Sequence, residues 1–162
     1  MALATHPSVR SAPGITISEN LYRWISLFAA GVVLVYIFFI HPFLPSISTE
    51  QIGWQTSPFQ LEVAEANLGF GILCILAFSA SYGFQLASVI GISISLWGDA
   101  IVHIRQMIVA KNLSPGNAGP WFWSDVLVPH LLIWLIIKLK KLHTLHLELN
   151  LKNDESILSA PP

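Results

Sequence analysis

Three features of the sequence predict an all-α, polytopic membrane protein with four transmembrane helices in an up-down bundle. The 162 residues are 54% hydrophobic and only 10% charged, where a soluble domain carries about 25% charged residues. Mean hydropathy is +0.64. Four apolar runs alternate with short stretches rich in Pro, Gly and Ser, and about 20 apolar residues, rising roughly 1.5 Å each, cross a hydrocarbon core of about 30 Å.

Residues 1–20, MALATHPSVRSAPGITISEN, have no sustained apolar face and are predicted to be a flexible polar leader without helix. The first span is expected over residues 21–44, which are almost continuously apolar after Arg23. No A-x-A-like cleavage site follows it, so it is expected to be an uncleaved anchor rather than a signal peptide. Pro42, Pro45, Gly53 and Pro58 punctuate a loop over 41–58.

Pro58 suits the first turn of a second span over 58–80. The turn SYG at 81–83 makes the second and third spans antiparallel neighbours. The third span is expected over 84–110, and the loop KNLSPGNAGP leads into a fourth over 121–137. In the segment 138–162, Leu139, Leu142, Leu145 and Leu149 recur at helical spacing while Leu145, Leu147, Leu149 and Leu151 alternate like a strand. A basic interfacial helix continuing span four is expected there, with disorder beyond Asn153.

Orientation follows from the basic residues. Arg10, Arg23, Lys138, Lys140, Lys141 and Lys152 cluster at the terminal ends of the bundle, and the loop between spans one and two has none. Both termini are expected in the cytoplasm of a multi-pass plasma-membrane protein. Tyr22, Trp24 and Tyr82 would mark the cytoplasmic interface, with Trp54, Trp121 and Trp123 at the opposite one.

The formal net charge of -1 supplies no basic field for nucleic acid. Cys74 is the only cysteine, which excludes an intrachain disulfide and a Cys-based zinc or iron–sulfur centre within one chain. No phosphate loop, dinucleotide fingerprint or supported Ser-His-Asp arrangement occurs.

What remains is polarity inside apolar helices. With up-down topology, span two starts, span three ends and span four starts at the same membrane face, so Glu62, Glu65, Asp99, His103, Arg105 and Asp125 converge in depth. Asp99 and His103 share a helical face, with Ser95 one turn before and Gln106 after. Glu62 and Glu65 form a second stripe, backed by Ala66 and Gly69, small enough to admit a neighbouring helix. Ionisable groups in a membrane normally face a bundle interior or an aqueous cavity.

Arg105 lies about 120° from the Asp99 stripe and can instead snorkel to headgroups. His130, beside Pro129 in span four, is a second-rank candidate, as is Gln106. Gly69, Gly71, Gly91, Ser93, Ser95 and Gly98 are expected to be close-packing devices, and Cys74 a packing residue.

Three chemistries fit such a constellation. Clustered carboxylates and imidazole can bind or conduct a proton or cation. Carboxylate plus imidazole also suits a divalent metal, with Asp99, His103 and Glu65 as candidate ligands for a metal-dependent membrane enzyme, although the Glu-x-x-His pair of di-iron bundles is absent. The same groups in a non-catalytic accessory subunit would only fix helix register. The bilayer is the expected partner in each case, with a second membrane protein or a second copy of the chain as further candidates.

The stretches SPFQLEVAEANLGFGIL, LWGDAIVHIRQM and NLSPGNAGPWFWSDVLVP, spanning about residues 57–129, resemble a family of small uncharacterised four-helix membrane proteins found mainly in prokaryotes. The resemblance implies the fold and carries no catalytic residue. Glu65, Asp99, His103, Arg105 and Asp125 lie within it; the leader and the tail after Ile137 lie outside.

Overall fold

Pro13 opens the first helix of the structure, a computed structural model that describes residues 13–158. Helix α1 (Pro13–Trp24) runs without a break into a π-helical segment (Ile25–Val32) and then α2 (Val33–Phe43). Together they make the first span, Gly14–Phe43. The predicted leader therefore ends early: residues 1–12 lie outside the described residues, and helix replaces the expected coil from Pro13.

The reason is the kind of stripe α1 buries. Ile15, Ser18, Tyr22 and Ser26 recur at steps of three and four and are all buried. Two of the four are serines, so the face does not read as apolar, yet small side chains are what close helix contacts in a membrane need. Tyr22 is correspondingly no interface marker. It is fully buried, its hydroxyl donating to the Gln85 carbonyl at 3.4 Å.

Leu44, at φ -133°, breaks the chain after α2, and Pro45 starts α3 (Pro45–Ile52) inside what the sequence predicts as loop. Gly53 ends α3 in the left-handed region at φ 72°, and its N–H donates to the Thr49 carbonyl at 2.8 Å, the αL cap that glycine makes without steric cost. Then come α4 (Phe59–Leu76) and, past a turn over 77–81, α5 (Tyr82–Val109). The one-turn helix α6 (Pro115–Ala118) precedes α7 (Pro120–Leu158). The backbone of α7 is helical through Asn153, where disorder is expected, as far as Leu158; residues 159–162 lie outside the described residues.

Four helices are long and apolar enough to cross a membrane: Gly14–Phe43, Phe59–Leu76, Tyr82–Val109 and Pro115–Leu149. No strand occurs among the described residues. Consecutive spans pack side by side and the first also packs against the fourth, closing an up-down ring of four. Leu34, Cys74, Val89, Ile92, Leu96, Leu132, Leu135 and Ile136 fill its centre. Outside, Ile94, Ile101, Leu127 and Ile137 are exposed, a surface stable only against hydrocarbon.

Of the residues expected to allow close packing, Gly71 does so most tightly. A Cβ there would stand 2.9 Å from Val35 and 3.0 Å from the Gly31 carbonyl oxygen, and a Cβ on Gly31 would meet Ile75 at 2.7 Å. Gly91 abuts the Phe70 ring, whereas Gly69 and Gly98 face open space. Ser93 is buried and Ser95 half-buried. Cys74 is a buried free thiol in the core, and its carbonyl accepts a bond from Ser26 Oγ at 3.0 Å.

Candidate functional site

The end of the bundle away from the chain termini is held together by one side chain, Asn117 of α6. Its surroundings begin with Asn112, whose Nδ2 donates to the Ile52 carbonyl at 2.8 Å and whose Oδ1 accepts from the Ser114 N–H at 3.0 Å. These contacts tie the α5–α6 loop to the end of α3. Gly116 lets the backbones touch, since a Cβ there would stand 2.6 Å from the Gln51 carbonyl oxygen.

Asn117 is fully buried and uses its whole hydrogen-bonding capacity. Its Nδ2 donates to the carbonyls of Asn112 at 2.9 Å and His103 at 3.3 Å. Its Oδ1 accepts from Trp54 Nε1 at 3.1 Å and stands 2.9 Å from His103 Nδ1. Indole nitrogen only donates, which fixes Oδ1 toward Trp54 and His103. An amide oxygen only accepts, so His103 Nδ1 carries a hydrogen and donates it.

That assignment determines what the other imidazole nitrogen can do. His103 Nε2 lies 3.6 Å from Asp125 Oδ2, with both side chains nearly buried. With Nδ1 already protonated, Nε2 holds a lone pair unless it too is protonated, and a lone pair opposite a carboxylate is repulsive. The pair is therefore satisfied by one proton between its members, as imidazolium–carboxylate or as imidazole–carboxylic acid. The separation exceeds a direct hydrogen bond, so a small side-chain movement or a bridging water would close it.

The pair opens onto a cavity of about 310 Å³, within the size range of small-ligand sites. Asp99, one turn before His103 on α5, also lines it and forms no side-chain hydrogen bond among the described residues. Trp54 and Trp121 line the same wall, the Trp54 ring 5.4 Å from the His103 ring. His41 also lines it; its Nδ1 accepts from Gln60 Nε2 at 3.2 Å, since an amide nitrogen only donates, and stands 3.0 Å from Ser48 Oγ, which leaves its hydrogen on Nε2. Among the described residues no Lys or Arg lines the space.

The expected site residues divide. Asp99, His103 and Asp125 are brought to one cavity. Glu62 and Glu65 are not: both are exposed, with Ala66 and Gly69, on the outer face of α4, while Ala64, Asn67, Gly71 and Cys74 form its buried stripe. Arg105 is exposed, as snorkelling would have it. Gln106 is half-buried, and its carbonyl accepts from the N–H groups of Ala110 and Asn112. His130 is exposed, its Nδ1 on the Val126 carbonyl and its ring edge-on to Trp97 at 5.2 Å.

The expected metal ligands do not assemble, because Glu65 stands outside the cavity. Among the described residues no three His, Cys, Asp or Glu side chains form a group able to hold a metal ion. Sequence reasoning also missed Asn117, Trp54 and His41 as site residues. Asn117 sits in SPGNAGP, where asparagine reads as a turn former, and Trp54 reads as an interface aromatic. Neither carried a local signal of its role.

A family model described as a family of unknown function (DUF6790) matches residues 1–144. The match takes in the leader and the first part of the tail, both of which lie outside the sequence resemblance. No curated protein and no solved structure matches.

Proposed function

The chain belongs to this family of unknown function, and from that premise we propose that it is a plasma-membrane protein whose His103–Asp125 pair binds an exchangeable proton at a cavity reached from the extracytoplasmic face. One observation carries the proposal: Asn117 holds the His103 tautomer so that Nε2 must share a proton with Asp125. A packing device does not need an acid–imidazole pair at the wall of a cavity. Hydrocarbon around the bundle raises the cost of leaving either group bare.

The basic residues support the orientation. Arg23, Lys138, Lys140, Lys141 and Lys152 gather at the terminal end, and the connection that supplies Trp54, Gln55 and Ser57 to the cavity has no Lys or Arg. Between Tyr82 at its start and Asp99, α5 carries no ionisable side chain, so exchange from one side accounts for the site.

Sealed membrane vesicles test both parts. A pH step outside right-side-out vesicles should produce an infrared carboxyl signal that Asp125→Asn and His103→Gln each abolish and that Glu62→Gln leaves intact. A signal seen only in inverted vesicles would overturn the orientation. No signal from the parent protein in either orientation, with both variants merely less stable to heat, would overturn the proton site and favour the accessory-subunit reading.

A further inference from the structure

The lining of the cavity is unusual for a site that handles a proton alone. A proton needs the pair and a path for water, not a chamber of about 310 Å³ to which α2, α3 and α4 bring aliphatic and aromatic side chains. Two carboxylates, Asp99 and Asp125, sit at one end of it, and no Lys or Arg balances them among the described residues. Trp54 and Trp121 line it with them, and so do aliphatic side chains of α2 and α3, Ile37, Ile40 and Ile47 among them.

An inorganic divalent cation does not fit this space. Such ions take several oxygen ligands at about 2.0–2.6 Å, and no three candidate ligands gather here among the described residues. An anion would face two acids and no partner. An organic cation matches the lining: carboxylate for the charge, indole rings for cation–π contact, aliphatic surface for a hydrocarbon body.

Asp99 strengthens the case. It is partly buried on the cavity wall, forms no side-chain hydrogen bond among the described residues, and is not needed to satisfy His103. Trp54 is locked through Nε1 to Asn117, so its ring is held in place before anything binds.

We propose that the cavity takes a small organic monocation, an ammonium head on an apolar body, in exchange for the proton of the His103–Asp125 pair. The proposal rests on the proton-site reading. The cation enters with its charge against Asp99 and Asp125, and one proton leaves the pair for the extracytoplasmic water, so the charge of the site is unchanged and no bond other than that N–H or O–H breaks. The other titratable groups lining the cavity are Asp99 from α5 and Tyr36 and His41 from α2; α3, α4, α6 and the connection at 54–57 contribute only uncharged groups.

Benzyltrimethylammonium is the probe, because it has no proton of its own to release. Calorimetry on the full chain in lipid nanodiscs, repeated in buffers of different ionisation enthalpy, should show saturable binding with release of about one proton. Affinity should fall about tenfold for each unit of pH below the titration of the pair. Asp99→Asn and Asp125→Asn should each weaken binding about tenfold or more. Benzoate and the uncharged neopentylbenzene should not compete.

Asp99→Asn guards against misfolding, since Asp99 lies outside the hydrogen-bond network; its thermal unfolding should match the parent. Equal binding of neopentylbenzene, binding unaffected by Asp99→Asn, or cation binding without proton release would overturn the proposal. Absence of binding while the infrared proton signal persists would overturn it and leave the proton site standing. Absence of that signal defeats the proton site itself.

Discussion

Asn117 has four polar neighbours and no solvent, so its removal is felt at several atoms. Asn117→Ala would strand Trp54 Nε1 and His103 Nδ1 and remove the side-chain donor from the Asn112 carbonyl, and each buried unsatisfied group costs roughly 1–3 kcal/mol unless water replaces the partner. The variant is expected to lose at least about 2 kcal/mol of stability in detergent unfolding and to release the Trp54 ring, read as faster quenching of tryptophan fluorescence by acrylamide; unchanged quenching would contradict the network. At this scale the sequence was legible where helix geometry decides. Asp99 and His103 share a face at any azimuth because they are four residues apart on one helix. Asn117 was illegible because its partners come from three separate segments, which no local pattern encodes.

Helix α4 shows why azimuth is the hard quantity in a membrane. It carries two stripes of small residues, Ala66 with Gly69 and Ala64 with Gly71 and Cys74, and hydropathy does not distinguish them because lipid and core are equally apolar. The acids beside the first stripe suggested that it faced inward; the structure buries the second. Glu62 and Glu65 instead occupy the first two turns of α4, near its end, where exposure brings them to headgroups at little cost. The Gly31–Gly71 contact locks the choice. Gly71→Leu should cost about 1–3 kcal/mol or more, because its side chain would press on the α2 backbone, while Gly69→Leu, with open space around its Cβ position, should unfold like the parent protein. Equal loss from both would show that the helix is turned otherwise. The π-helical segment Ile25–Val32 lies at this same crossing and had no sequence signal.

On the scale of the whole chain, alternation of four spans makes the ends of α2, α4, α5 and α7 neighbours, and the cavity is the space they leave with α3 as its outer wall. This much was readable from span order alone, since the acids of spans three and four fall at one face in any up-down bundle. The size of the cavity was not, because it depends on α3, which two prolines and a glycine made look like loop. The family match over residues 1–144 includes every residue that lines the cavity. The chemistry of the cavity turns on a single proton shared between His103 and Asp125. Nitrogen NMR of the protein in lipid, with labelled histidine and His103→Gln to assign the signal, reads that state directly. A shared proton requires a His103 ring with Nδ1 protonated at all pH values where the fold persists, and Nε2 gaining its proton only together with a change at Asp125, so that Asp125→Asn alters the Nε2 signal and not the Nδ1 signal. A neutral ring protonated at Nε2 with Nδ1 bare would contradict it.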